Sequence, residues 1–124
     1  MTIFWYGEAC FLLENGGVRI LIEPPQKDSR INPPRLKSDI LIYSKSQPSN
    51  EPEGETFVID SPGEYEIKGV NVLGIADPSP PVGGSGQANT IYNLKIDGVK
   101  ICHLGFLIND LDNEKLALID APDI

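Results

Sequence analysis

The chain has 124 residues, the scale of one domain, with 40% hydrophobic and 23% charged positions, which is ordinary for a globular protein. Its formal net charge of −8 argues against phosphate backbones and anionic membranes as partners. No stretch approaches the length needed to cross a bilayer, and MTIFWYGEACFLLE lacks the basic start of a secretory signal.

In chain order the signals are those of strands and turns. Residues 2–6 (TIFWY) and 10–14 (CFLLE) are β-branched, aromatic and apolar. Asn15-Gly16-Gly17 is a tight-turn signal, VRILIE (18–23) returns as a hairpin, and Pro24-Pro25 stops it. Residues 26–38 read as a polar connection. DILIYS (39–44) is a short apolar run of the kind buried inside a sheet, and it ends in the polar loop Lys45-Ser46-Gln47-Pro48-Ser49-Asn50. TFVID (56–60) precedes the turn Ser61-Pro62-Gly63, and residues 64–76 read as two strands pivoting on Lys68-Gly69. Residues 77–88, rich in Pro, Gly and Ser, read as a loop. TIYNLKI (90–96) and VKICHL (99–104) form a hairpin around Asp97-Gly98. Only residues 112–119 are helical in pattern, with Asp112 as cap and Pro122 beyond the end. Asp123-Ile124 has the character of the opening of a further strand. The expected class is strand-rich α+β, a mixed and mostly antiparallel sheet with one short C-terminal helix.

The chemistry-bearing residues are few. His103 is the single histidine, at the end of a strand, where a structural hydrogen bond is its expected role. Glu8, Glu23, Asp60 and Glu64 sit at strand ends and turns. They either bond backbone N–H groups or converge on a hard cation at one sheet edge. Cys10 and Cys102 match no metal spacing and read as free thiols of a reducing cytoplasm. Gly83-Gly84-Ser85-Gly86 lacks the lysine and helix start of a phosphate cradle.

WYGEACF (5–11), RILIEPP (19–25), SDILIYS (38–44), FVIDSPGEYEIKGVNVLGI (57–75), ANTIYNL (88–94) and ICHLG (101–105) occur in an order that resembles the metallo-β-lactamase-fold hydrolases, specifically a bacterial branch of zinc-dependent hydrolases. The resemblance spans nearly the whole chain and implies roughly the first half of a four-layer αββα sandwich, as a single truncated domain over residues 1–124. It also implies where metal ligands would lie. The strand like DILIYS leads, in the family, into Thr-His-x-His-x-Asp-His. Here that loop reads Ser44-Lys45-Ser46-Gln47-Pro48-Ser49-Asn50, without a histidine. A further family histidine falls near Ala76 and Asp77. The family's bridging aspartate after His-Leu-Gly is Phe106, and its aspartate before proline is Glu23, while Glu8 agrees with the branch.

The resemblance therefore implies a protein of zinc-binding stock that keeps no cofactor and no catalytic residue. The expectation is a non-catalytic chain that pairs with a second copy, or with a chain supplying the missing half, through an exposed apolar face. The alternatives are a small-molecule binding module, a residual metal-dependent hydrolase and a gene fragment. Residues expected around a relic cleft are Glu8, Glu23, Lys45, Asp60, Asp77, His103 and Phe106.

Overall fold

A computed structural model describes residues 1–25, 30, 37–46, 54–78, 88–107 and 109–124. The loop expected at 77–88, the glycine cluster at 83–86, most of the 26–38 connection and positions 47–50 lie largely outside these residues. The described chain forms two compact units. One holds residues Met1–Tyr43 and Gln47–Ile59, the other Ser44–Ser46 and Asp60–Ile124.

The first unit is a five-stranded sheet in sequential order: β1 (Thr2–Trp5), β2 (Phe11–Asn15), β3 (Val18–Ile22), β4 (Ile40–Ile42) and β5 (Phe57–Ile59). β1, β2 and β3 run antiparallel, and β3, β4 and β5 run parallel. The β2–β3 hairpin closes on Gly16 and Gly17, both at positive φ (57° and 85°), which is the handedness that matches strand twist. Cys10, Leu12 and Leu21 form a buried cluster with Tyr6 and Leu41 packed on it. Ile20, Ile22, Ile40, Ile42 and Ile59 are also buried, so β3 from Ile20 onward and β4 read as apolar runs, as parallel strands covered on both faces do.

The second unit is an antiparallel meander, β6 (Gly63–Ile67), β7 (Val70–Asp77), β8 (Asn89–Ile96) and β9 (Val99–His103), followed by helix α1 (Asn113–Ile119). Its two tight hairpins turn at Lys68-Gly69 and Asp97-Gly98, again with positive φ at both positions. Val70, Val72, Leu94, Ile96 and Ile101 are buried on one face. On the other, Ile75 and Ile91 pack with Ile119 of the helix, flanked by Leu73, Cys102 and Leu111.

The helix is fixed at both ends. Asp112 accepts the Lys115 N–H at 2.8 Å as N-cap, as the sequence predicts. At the other end Asn93 Nδ2 donates to the Leu118 and Ile119 carbonyls (2.9 and 3.0 Å), and Lys100 Nζ donates to the Asp120 carbonyl at 3.2 Å. Beyond it the chain returns beside β9. The Asp123 and Ile124 N–H groups donate to the Lys100 carbonyl, and Cys102 N–H donates to the Ile124 carbonyl. That is the bond pattern of a single parallel bridge, although Asp123-Ile124 forms no assigned strand.

Candidate functional site

In the second unit, the ends of β7, β8 and β9 and the short segment Ser44–Ser46 meet. The tie is backbone to backbone: Thr90 N–H donates to the Ser44 carbonyl at 2.8 Å. β7 ends on Asp77, β8 begins on Asn89, and the two are cross-strand partners. Both side chains are buried, Asp77 completely. Asn89 Nδ2 donates to Asp77 Oδ2 at 3.2 Å and to the Leu104 carbonyl at 3.0 Å, while its Oδ1 accepts the Phe106 N–H at 2.9 Å. Asn109 Nδ2 adds a 2.7 Å bond to Asp77 Oδ1. A buried carboxylate is costly unless its oxygens are bonded, and here amides bond both of them.

The turn after β9 is shaped around this network. Gly105 has φ +62°, and a Cβ there would overlap Ser44 Oγ and lie 2.5 Å from Asn89 Oδ1. Only glycine fits this crossing. The Gly105 N–H donates to His103 Nδ1 at 3.2 Å, the strand-end structural bond expected of that histidine. An accepting Nδ1 is an unprotonated one. Lys45 Nζ stands 4.8 Å from the centre of the Phe106 ring, a cation–π contact.

Of the residues expected around a relic cleft, Lys45, Asp77, His103 and Phe106 are thus gathered within one unit. Asp60 belongs to the same unit and accepts from Ser46 Oγ at 3.4 Å. Glu8 and Glu23 belong to the other. Both have left-handed backbone, φ 48°. Exposed Glu8 accepts the Trp5 indole N–H on its carbonyl (2.9 Å). Glu23 is buried, and its N–H donates to the Ile42 carbonyl at 2.9 Å. Burial pushes the Cys10 thiol above its ordinary pKa, and the Glu23 charge adds to the rise. Burial alone does the same for Cys102. Both cysteines are free. Such thiols are poor nucleophiles.

The convergence of carboxylates on a cation is not seen. Among the described residues, no group of three or more His, Cys, Asp or Glu side chains is placed to hold a metal ion. Sequence reasoning missed Asn89 and Asn109, the two amides that hold the network. Asn89 is the second residue of ANTIYNL (88–94), which carried part of the resemblance.

A strand-rich chain with its loop cluster at the ends of β7, β8 and β9 defines a class, and comparison with known proteins gives it a family. The family model described as the beta-lactamase superfamily domain matches residues 2–124. The chain belongs to that family. It is 30% identical to a protein of Thermotoga maritima with a crystal structure, described as a candidate Zn-dependent hydrolase of the metallo-β-lactamase superfamily, with a TM-score of 0.76. The match covers 98% of this chain and 57% of that one, so the chain spans little more than half of that relative's length. A search of curated proteins found no match.

The zinc that such a fold implies does not fit the donors present among the described residues. Zinc takes three or four N, S or O donors with free lone pairs. No three His, Cys, Asp or Glu side chains among the described residues come together there, His103 Nδ1 accepts a backbone N–H, and Lys45 brings an ammonium in place of a donor.

Proposed function

We propose that this chain is a non-hydrolytic member of the metallo-β-lactamase superfamily whose role is to associate with a second copy of itself. One observation carries the first part: Lys45 over the Phe106 ring. Position 45 lies in the loop that the resemblance makes the metal-ligand loop, and position 106 is where it puts the bridging aspartate. The two positions do meet, as a metal site would require, but a cation and an aromatic ring stand there. An ammonium repels a dication and has no lone pair to offer. Without a metal-lowered pKa, water supplies no hydroxide near neutrality.

The apolar surface supports association. β1 is exposed along its whole length, with Trp5 67% exposed and Ile3 and Phe4 at 39% each. It is the edge strand of its sheet and carries no charge. Natural edges of this kind are usually blunted by lysine, proline or a bulge, and β1 has none of these. A free, uncharged edge suits antiparallel pairing with an identical strand.

Native mass spectrometry of the purified chain after incubation with zinc reads both parts. The expected species is a two-chain assembly without metal. Zinc retained near one equivalent, and lost in Asp77→Ala or His103→Ala, overturns the non-hydrolytic reading. A single-chain species at all concentrations overturns the pairing.

A further inference from the structure

The open edge of β1 carries a hydrogen-bonding parity. Tyr6 N–H donates to the Cys10 carbonyl at 2.9 Å, one step beyond the last β1–β2 partners, Trp5 and Phe11. Antiparallel pairs alternate between residues that exchange backbone bonds and residues that do not. Tyr6, Phe4 and Thr2 therefore turn their N–H and C=O groups toward β2. Ile3 and Trp5 turn theirs toward the edge, where β1 has no neighbouring strand among the described residues.

Side chains alternate as well, with Ile3 and Trp5 on one face and Thr2, Phe4 and Tyr6 on the other. The Trp5 indole is held by its bond to the Glu8 carbonyl although the residue is 67% exposed. The Phe4 and Tyr6 rings lie 6.4 Å apart. No charged side chain occurs among residues 1–7. An oriented, exposed aromatic beside open backbone groups is what strand addition uses, the backbone for affinity and the side chains for specificity.

These parities select one way for the edge to meet itself. An identical antiparallel strand bonds only where outward-turned residues face each other, so a two-fold axis falls on Ile3, Phe4 or Trp5. An axis on Ile3 sets Trp5 against Met1, which lies outside β1. An axis on Trp5 sets Ile3 against Gly7, whose φ of 100° is not that of a strand. An axis on Phe4 sets Ile3 against Trp5 in both directions, and the open groups of both residues are then satisfied. We propose that two copies join through β1 with the axis on Phe4, so that their five-stranded sheets become one continuous sheet. This register rests on the pairing read from the exposed β1 and specifies its geometry. Phe4 faces Phe4 as a close pair that exchanges no backbone bonds. On the opposite face Trp5 packs on Ile3 of the second copy, an aromatic residue against a β-branched one. The Glu8 carboxylates fall at opposite ends of the paired strands, so no like charges meet between them.

Proline substitution reads the parity. Ile3→Pro removes an N–H aimed at the second copy and none aimed at β2, so the chain should keep its fold and lose pairing. Light scattering over a concentration series should show association at least about tenfold weaker in Ile3→Pro than in the unchanged chain, with the far-UV spectrum unchanged. Phe4→Cys reads the register. Cα atoms of a close pair stand about 4.5 Å apart, within disulfide reach, so oxidised glutathione should link position 4 to position 4, as identified by peptide mass spectrometry. Ile3→Cys and Trp5→Cys set each thiol opposite a different residue and should not link to themselves. Association of the unchanged chain without the link at position 4, or equal linking at all three positions, overturns the register while pairing stands. Undiminished association of Ile3→Pro puts the contact on another surface and overturns it too. A single-chain species at every concentration overturns pairing and register together and leaves the edge to a strand of another protein.

Discussion

At Gly105 the chain takes φ +62° while passing against Ser44 and Asn89, so a methyl group there meets two separate penalties. One is the left-handed backbone and the other is overlap with a buried polar network. Gly105→Ala should destabilise by about 2–4 kcal/mol, a fall in Tm on the order of 10 °C. Gly98, at φ +83° with nothing within 4 Å of its Cβ position, isolates the backbone penalty. Gly98→Ala should cost only about 1–2 kcal/mol. Equal losses in the two variants, measured by urea unfolding, would mean that the network around Asn89 bears no tension on that turn. The sequence marks Gly98 as a turn former through Asp97-Gly98, whereas Gly105 carried only the resemblance. What distinguishes Gly105 is Ser44 and Asn89, neighbours brought to it by sheet pairing.

At the scale of elements, α1 is a seven-residue helix held by its ends more than by its length. Asp112 is held below the ordinary carboxylate range, first by the Lys115 backbone N–H and then by the Lys115 ammonium. Asp120 is lowered by its hydrogen bond from Lys100 and by the charge of that lysine. A carboxyl whose folded pKa is depressed stabilises the fold above its unfolded value, about 3.9, and loses that contribution as pH falls through the folded value. The helix should therefore stay intact from about pH 5 to 8 and fray at both ends below about pH 4. The amide signals of Lys115 and Asp120 would report this, and signals unchanged down to pH 2 would count against it. Here the sequence is informative: Asp112 as cap and the stop before Pro122 are local signals. The clamp from Asn93 is not, because the donor lies on β8, far along the chain from the carbonyls it holds.

At the scale of the molecule, local chemistry carries most of the fold. Three two-residue turns, Gly16-Gly17, Lys68-Gly69 and Asp97-Gly98, fix the registers of three hairpins, and each is readable from composition. The parallel alignment of β3, β4 and β5 is not readable in that way, because the connecting segments carry no orientation signal and an apolar run suits either direction. The candidate site was legible only through resemblance. That resemblance brought positions 45, 77 and 106 into view as places where family ligands belong, and His103 as a retained residue of the His-Leu-Gly stretch. Of the amides that occupy the site, Asn89 lies in a stretch that carried the resemblance but was given no role, and Asn109 carries no motif. The acidic surplus bears on the proposed association as well: two copies of net charge −8 repel each other, so the proposal puts their contact on an uncharged stretch, β1.

The same division between near and distant pairing sets an order in time. Hairpins closed over two residues form on the microsecond scale, whereas the parallel ladder must first bring Ile20 to Ile40 and Ile40 to Phe57. During refolding, pulse-labelled amides of β6–β7 and β8–β9 should gain protection before those of β4 and β5. Simultaneous protection would show instead that one late event locks both. If the order holds, a refolding chain passes through an interval in which the paired hairpins are complete while the apolar strands β4 and β5 still lack their ladder. That interval is when it is most exposed to aggregation or to capture by a chaperone.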